Sequence, residues 1–214
     1  MMRSPLFVAF EGPDGSGTST QCQILCDKLR SAGHEIVQTR EPGGTKTGER
    51  IRSLVLDEDL EHLDHLVELL LYAASRRQLV QELIEPALAA GKPVISDRFS
   101  ASSYAYQGAG RGLGCKVVKV VNDLATGGRE PDATILLDLP MQQAGERRSR
   151  RGGRRDRIEA AGDGLQERVC VAYRQMAEKD RRRVLLLDAT PGVEEVAASV
   201  RKSLAARFPG FPYR

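Results

Sequence analysis

Residues 6–20 read Leu-Phe-Val-Ala-Phe-Glu-Gly-Pro-Asp-Gly-Ser-Gly-Thr-Ser-Thr. Leu6 to Phe10 is an apolar run of strand length, and it gives way to Gly12, Gly15 and Gly17. Behind the glycines, Cys22, Leu25, Cys26 and Leu29 fall at i, i+3, i+4 and i+7, the spacing of one helix face. Strand, glycine-rich turn and helix, in that order, make the setting of a phosphate-binding loop. The glycines let successive backbone N–H groups converge, and the helix N-terminus adds partial positive charge. The pattern G-x-x-x-x-G-K-[ST] is met at Gly12, Gly17 and Ser19, but Thr18 stands where the lysine belongs. One cation is thereby removed, while the backbone cradle remains, with a Ser19 hydroxyl suited to Mg²⁺. An ordinary glycine-rich turn would read the same way, so the rest of the chain has to decide.

The length of 214 residues suits one domain, 1–214, with a small lid at about 145–160. Charged residues at 29% and hydrophobic ones at 41% are those of an ordinary globular protein. No apolar run approaches the ~20 residues of a membrane span. Met-Met-Arg-Ser-Pro leads straight into the first strand and leaves no room for a signal peptide. The four cysteines (Cys22, Cys26, Cys115, Cys170) show no C-x-x-C spacing, and Cys22 and Cys26 read as buried packing residues. A cytoplasmic location is expected, with no zinc site and no membrane. The net charge of +3 conceals an asymmetry: residues 147–157 hold seven arginines and one aspartate, so the remainder is mildly acidic. Nucleic-acid binding spreads charge over a face, whereas one compact block suits a smaller polyanion, and no nucleic-acid partner is expected.

Going outward, 35–39 reads as a second strand running into Thr39-Arg40-Glu41-Pro42-Gly43-Gly44, a loop at a strand's end. Residues 46–56 suit a short helix. Residues 64–90 suit two helical segments, broken near Pro86, with Leu66, Leu69, Leu70, Ala73 and Ala74 inward. Val94–Phe99 is a buried-type strand ending in Asp97-Arg98, a carboxylate for Mg²⁺ and a guanidinium for phosphate, or else a surface ion pair. A polar and aromatic stretch spans 102–112, and helices are expected over 115–126, 164–180 and 193–207. Strands 134–138 and 184–188 each end in aspartate. Five strands alternating with helices imply an α/β fold, a doubly wound five-stranded parallel sheet.

With these motifs assembled, the chain resembles the bacterial thymidylate kinases, P-loop nucleoside-monophosphate kinases. The likeness runs from Phe7 to about 205 and rests on Phe-Glu-Gly-Pro-Asp-Gly-Ser-Gly (10–17), Thr-Arg-Glu-Pro-Gly-Gly (39–44), Tyr-Ala-Ala-Ser-Arg-Arg (72–77), Asp-Arg-Phe (97–99), Ser-Ser-Tyr-Ala-Tyr-Gln-Gly (102–108) and Asp-Arg-Ile-Glu (156–159). The resemblance implies transfer of the γ-phosphoryl of ATP to dTMP with Mg²⁺, by a homodimer. It implies that Gly12, Pro13, Asp14, Gly15, Ser16, Gly17, Thr18, Ser19 and Thr20 cradle the ATP phosphates, with Asp14 also positioning the acceptor. Glu41, Arg52 and Arg98 would surround the monophosphate and sugar. Tyr72 takes the place of a phenylalanine stacked on thymine, and Arg76 would hydrogen-bond the base. Ser103, Tyr106 and Gln107 would line its pocket. The segment 147–157 corresponds to a mobile lid that in one subgroup supplies catalytic arginine. Arg148, Arg150 and Arg151 are the candidates, because they precede the Gly152-Gly153 hinge. Arg147, Arg154, Arg155 and Arg157 are expected to partner Asp156, Glu159 or solvent. Ser19 and Asp97 are the candidate metal residues.

Two departures bear on function. Thr18 weakens the lysine contact to phosphate, for which lid arginines would compensate, and Tyr72 adds a hydroxyl near the base. Three other readings follow: a kinase for another or modified pyrimidine monophosphate, a nucleotide-binding protein with weakened turnover, and a nucleic-acid binder acting through the arginine block.

Overall fold

The computed structural model describes residues 5–60, 62–152 and 156–210. In chain order it runs β1 (Phe7–Glu11), α1 (Thr18–Ser31), β2 (Val37–Arg40), α2 (Lys46–Val55), α3 (His65–Leu79), a π turn (Val80–Ile84) and α4 (Glu85–Ala89). There follow β3 (Val94–Asp97), α5 (Ser100–Ser103), a second π segment (Tyr104–Gly110), α6 (Cys115–Thr126), β4 (Ala133–Asp138) and α7 (Met141–Arg151). A 3-10 turn (Glu159–Ala161), α8 (Asp163–Lys179), β5 (Val184–Asp188) and α9 (Val193–Arg207) complete the chain.

The strands form one parallel sheet in the order β2-β3-β1-β4-β5. Strand β1 is buried on both faces, which explains its unbroken apolar run. Val8 and Phe10 pack with Cys22, Leu25, Cys26 and Leu29 of α1 and with Val196, Val200 and Leu204 of α9. Phe7 and Ala9 point the other way, to Leu79, Val80, Ile84 and Phe99. From β1 the chain crosses to β2 on one side, while neighbouring β4 leads to β5 on the other. A crevice therefore opens at the carboxyl ends of the strands. The pairing Phe10↔Asp97 brings the glycine turn after β1 beside the Asp97-Arg98 end of β3.

Three expectations need correction. The helix does not break near Pro86: a widened π turn, closed by Glu85 N–H on the Val80 carbonyl, passes directly into α4, with proline in its first turn. The π turn widens the helix immediately before Pro86, which has no N–H to donate. On α3, Leu69 and Ala73 face the core, but Leu66, Leu70 and Ala74 face outward, because the apolar stripe is wider than the buried one. The arginine block begins as a helix, α7, whose Ala144 is packed in the core of the sheet. Gly152 ends that helix with φ 65°. Gly153, Arg154, Arg155 and the side chain of Arg151 lie outside the described residues.

Candidate active site

A cavity of about 850 Å³ opens along the carboxyl ends of the strands. One wall is the turn after β1. Gly12, Gly15 and Gly17 have φ of 154°, 92° and 94°, and Ser16 N–H closes the turn on the Pro13 carbonyl at 3.0 Å. Gly17 begins α1 without any side-chain cap, so the first amides of that helix are open to an anion. A Cβ at Gly12 would come within 2.7 Å of the Leu137 carbonyl, and one at Gly15 within 2.6 Å of the Ala144 carbonyl of α7. Asp14, Gly15, Ser16, Gly17, Thr18, Ser19 and Thr20 line the cavity; Gly12 and Pro13 lie behind it.

Facing that turn, Arg98 holds φ 71°, the left-handed region that non-glycine side chains rarely adopt. Its Nη1 donates to the Gly12 carbonyl at 2.9 Å and its Nη2 to Asp14 Oδ1 at 2.6 Å. The guanidinium lies 5.4 Å from the centre of the Tyr106 ring. Beneath it sits Glu11, fully buried, which accepts from Phe99 N–H, Ser102 N–H, the Ser102 hydroxyl and the Tyr173 hydroxyl. Burial pushes the Glu11 carboxyl above its ordinary range, against the pull of Arg98. Gln166 of α8 donates to the other Asp14 oxygen at 3.0 Å. The sequence reading missed Glu11, Ser102, Gln166 and Tyr173. Only their long-range pairing marks them, since in sequence Glu11 is a strand end and the α8 residues belong to an amphipathic helix.

Ser19 donates to Asp97 Oδ2 at 2.5 Å, and Asp97 Oδ1 is buried with no protein partner. Among the described residues there is no cluster of three or more His, Cys, Asp or Glu able to hold a metal by themselves. A hydroxyl and one carboxylate oxygen still fit an ion that takes the rest of its shell from waters and phosphates, as Mg²⁺ does.

The opposite wall holds Glu41, Arg52, Tyr72, Arg76, Tyr106 and Gln107, all lining the cavity as expected. Burial pushes the Glu41 carboxyl up to about 7, although Arg76 beside it favours the charged form. Arg52 donates to the Pro42 carbonyl at 2.9 Å. Arg76 is only 1% exposed, and its fork is spent on the protein: Nε and Nη2 on Glu41, Nη1 on Ser103 and Asn122, Nη2 also on the Phe99 carbonyl. Its edge reaches the cavity, but every N–H already has an acceptor, so no donor is left for a base. Ser103 lies behind Arg76 and does not line the cavity; its neighbour Ser102 does. Gln107 is fixed by Nε2 on Glu68 Oε1 at 2.7 Å. Burial, aided by Glu68, raises the Tyr72 hydroxyl well above its ordinary range, so the ring stays neutral.

The lid arginines separate. Arg148 reaches the glycine turn, Nη1 donating to the Asp14 carbonyl at 2.7 Å. Arg147 donates to the Ala189 carbonyl at 2.9 Å, at the cavity end formed by Pro191, Gly192 and Val193. Arg150 is 82% exposed, 4.0 Å from Glu146, and does not line the cavity. Arg157 is buried against Glu68 at 2.7 Å, with Nε on the Val55 carbonyl, and is not a partner of solvent.

The Thymidylate kinase family model matches residues 10–200. A thymidylate kinase of Exiguobacterium sibiricum is 46% identical over 92% of this chain and 93% of its own. One of Deinococcus radiodurans is 43% identical over 96% and 99%. The crystal structure of thymidylate kinase from Ehrlichia chaffeensis superposes with a TM-score of 0.77 at 31% identity, covering 94% of this chain and 99% of that one.

Proposed function

The chain belongs to the thymidylate kinase family, and on that premise we propose how its own residues carry out the phosphorylation of dTMP to dTDP at the expense of ATP. It is a nucleoside-monophosphate kinase: the bond from the γ-phosphorus to the bridging oxygen of ATP breaks, and one forms to a phosphate oxygen of dTMP. That acceptor oxygen is already ionised near neutral pH, since a phosphate monoester loses its second proton at about pH 6. No general base is required, so the carboxyls of Glu11 and Glu41 need not take a proton. The protein has to bring two polyanions together and hold them in line.

The amides of the turn after β1 hold the triphosphate. Asp14 and Arg98 stand between that turn and the acceptor wall, with Arg52 and Glu41 on the far side. Tyr72 offers a flat apolar face to the pyrimidine, while Arg76 acts on the base indirectly, by fixing Glu41 and the α5 turn. Ser19 and Asp97 would hold Mg²⁺, which when bound neutralises phosphate oxygens. The observation that carries this reading is Arg98: one guanidinium, held in an uncommon backbone conformation, touches the Gly12 carbonyl and the Asp14 carboxylate at once. Its Nε has no protein partner among the described residues, leaving it for a phosphate oxygen. The test is ADP release from ATP with Mg²⁺ and dTMP, dUMP or dCMP in turn. The expected result is turnover that requires Mg²⁺ and favours dTMP; equal rates for all three would remove the thymine assignment.

The second part of the proposal is a homodimer. Leu66, Val67 and Leu70 of α3 and Val117, Val120 and Leu124 of α6 are all exposed, Leu124 by 75%, on two helices that pack side by side. Such a patch is suited to a second copy. No described helix is long and apolar enough to cross a membrane, and four free thiols suit a reducing compartment. The cytoplasm is the proposed location.

A further inference from the structure

The turn that would hold the triphosphate lacks a side-chain cation of its own. Thr18 opens α1, is buried, and lines the cavity where a lysine would extend its ammonium. The other arginines of the cavity serve elsewhere: Arg52 donates to the Pro42 carbonyl on the acceptor wall at 2.9 Å, and Arg98 stands between the turn and that wall. Arg98 is bound to Asp14, Arg40 to Glu49 at 2.8 Å, and Arg76 to four protein acceptors. Arg147 lies at the Ala189 end.

Arg148 is differently placed. Helix α7 packs directly on the turn, so closely that a Cβ on Gly15 would meet the Ala144 carbonyl at 2.6 Å and Arg148 Cγ at 3.2 Å. Ala144 is 1% exposed and anchors that face of α7, and Arg148 follows four residues later on the same face. Its guanidinium is oriented by one bond, Nη1 to the Asp14 carbonyl at 2.7 Å. Nε and Nη2 have no protein acceptor among the described residues, and Arg148 lines the same cavity as Gly15 to Ser19.

We propose that Arg148 does in this chain what the lysine of the glycine turn does elsewhere: it supplies the side-chain charge on the β- and γ-phosphate oxygens that Thr18 cannot. The charge has moved from α1 to α7 and is pinned to the turn through a backbone carbonyl, which no change of side chain at position 14 would release. This inference rests on the reading of the turn as a triphosphate cradle. It is distinct from a general role for the lid, because it predicts that positions 18 and 148 are interchangeable carriers of one charge.

The experiment is a double-mutant cycle of Thr18→Lys and Arg148→Met in the full chain, reading kcat and KM for ATP and for dTMP. Calorimetric dTMP binding serves as the check on folding. Arg148→Met is expected to lower kcat by about 10²-fold, with the dTMP affinity within about threefold of the parent. Thr18→Lys added to Arg148→Met should recover at least tenfold of the loss, a larger factor than the same substitution gives when Arg148 is present. Two results would overturn the proposal: Arg148→Met within threefold of the parent, or a loss that Thr18→Lys does not restore, which would make Arg148 only a brace for the Asp14 carbonyl. If the unmutated protein releases no ADP with any monophosphate, the reading of the cradle fails first and the inference falls with it. Lost dTMP binding in Arg148→Met would also count against the proposal, since the acceptor wall would then depend on that residue.

Discussion

Arg98 shows most plainly how a single position ties the end of β3 to the turn after β1. Its φ of 71° costs an L-residue on the order of 1–2 kcal/mol, and Phe99 N–H, Ser102 and Tyr173 meeting on buried Glu11 keep the loop in that conformation. Arg98→Lys preserves one charge and loses the fork that spans the Gly12 carbonyl and Asp14. It is expected to lower kcat by about 10²-fold with a smaller change in either KM, measured by steady-state ADP release. A shift confined to KM would indicate ground-state binding only. Glu41 gives a prediction for stability. With its carboxyl raised by burial to about 7, the native state keeps a proton that the unfolded chain has released above its ordinary range. Native protein then binds more protons than unfolded, so this group's contribution becomes less favourable as pH rises through that window, by up to about 3 kcal/mol. Urea unfolding from about pH 5 to about 7.5 should therefore show stability falling with pH, and Glu41→Gln should flatten that slope. An unchanged slope would place the titration on another group.

Among the elements, α7 is the informative one. In the sequence the arginine block reads as a lid built around a glycine hinge; in the structure its first half is helix, seated on the glycine turn through Ala144. Gly15→Ala is accordingly expected to lower the melting temperature by a few degrees, equivalent to about 1–3 kcal/mol. It should also raise KM for ATP, because the added carbon strikes the Ala144 carbonyl. A variant with parental stability and kinetics would mean that α7 moves freely away from the turn. The elements also show what was legible beforehand. The glycines after β1 and the Asp97-Arg98 end of β3 were readable because local chemistry, turn and strand end, marks them. Glu11, Gln166 and Tyr173 were not, because their meaning comes from side-chain partners 71 or more positions apart or from burial, as in Tyr173 on Ser102, separated by 71 residues, and Gln166 on Asp14, separated by 152. Ser102 and Ser103 are adjacent and chemically alike, and only the fold shows that Ser102 lines the cavity while Ser103 lies behind Arg76. Leu66 and Leu70 read as inward from the sequence, because hydrophobic spacing marks an apolar stripe but not what covers it.

For the whole molecule, the back of α3 and the face of α6 make one apolar surface while the inner side of α3 carries Tyr72 and Arg76 into the cavity. In the proposed dimer, assembly and substrate recognition would share a helix. Val120→Asp with Leu124→Asp is expected to convert a dimer to a monomer in sedimentation analysis without unfolding it; an unchanged sedimentation profile would place the interface elsewhere. The central claim is that the cradle after β1 and the wall around Tyr72 form one site in which a phosphoryl group passes between two nucleotides. Its most direct test is to incubate the protein with Mg²⁺, dTMP and ATP labelled at the γ-phosphorus, and to separate the products. The account predicts the label on the terminal phosphate of dTDP, with ADP formed in equal amount. Label released only as inorganic phosphate, or retained in ATP while dTMP is bound, would contradict it.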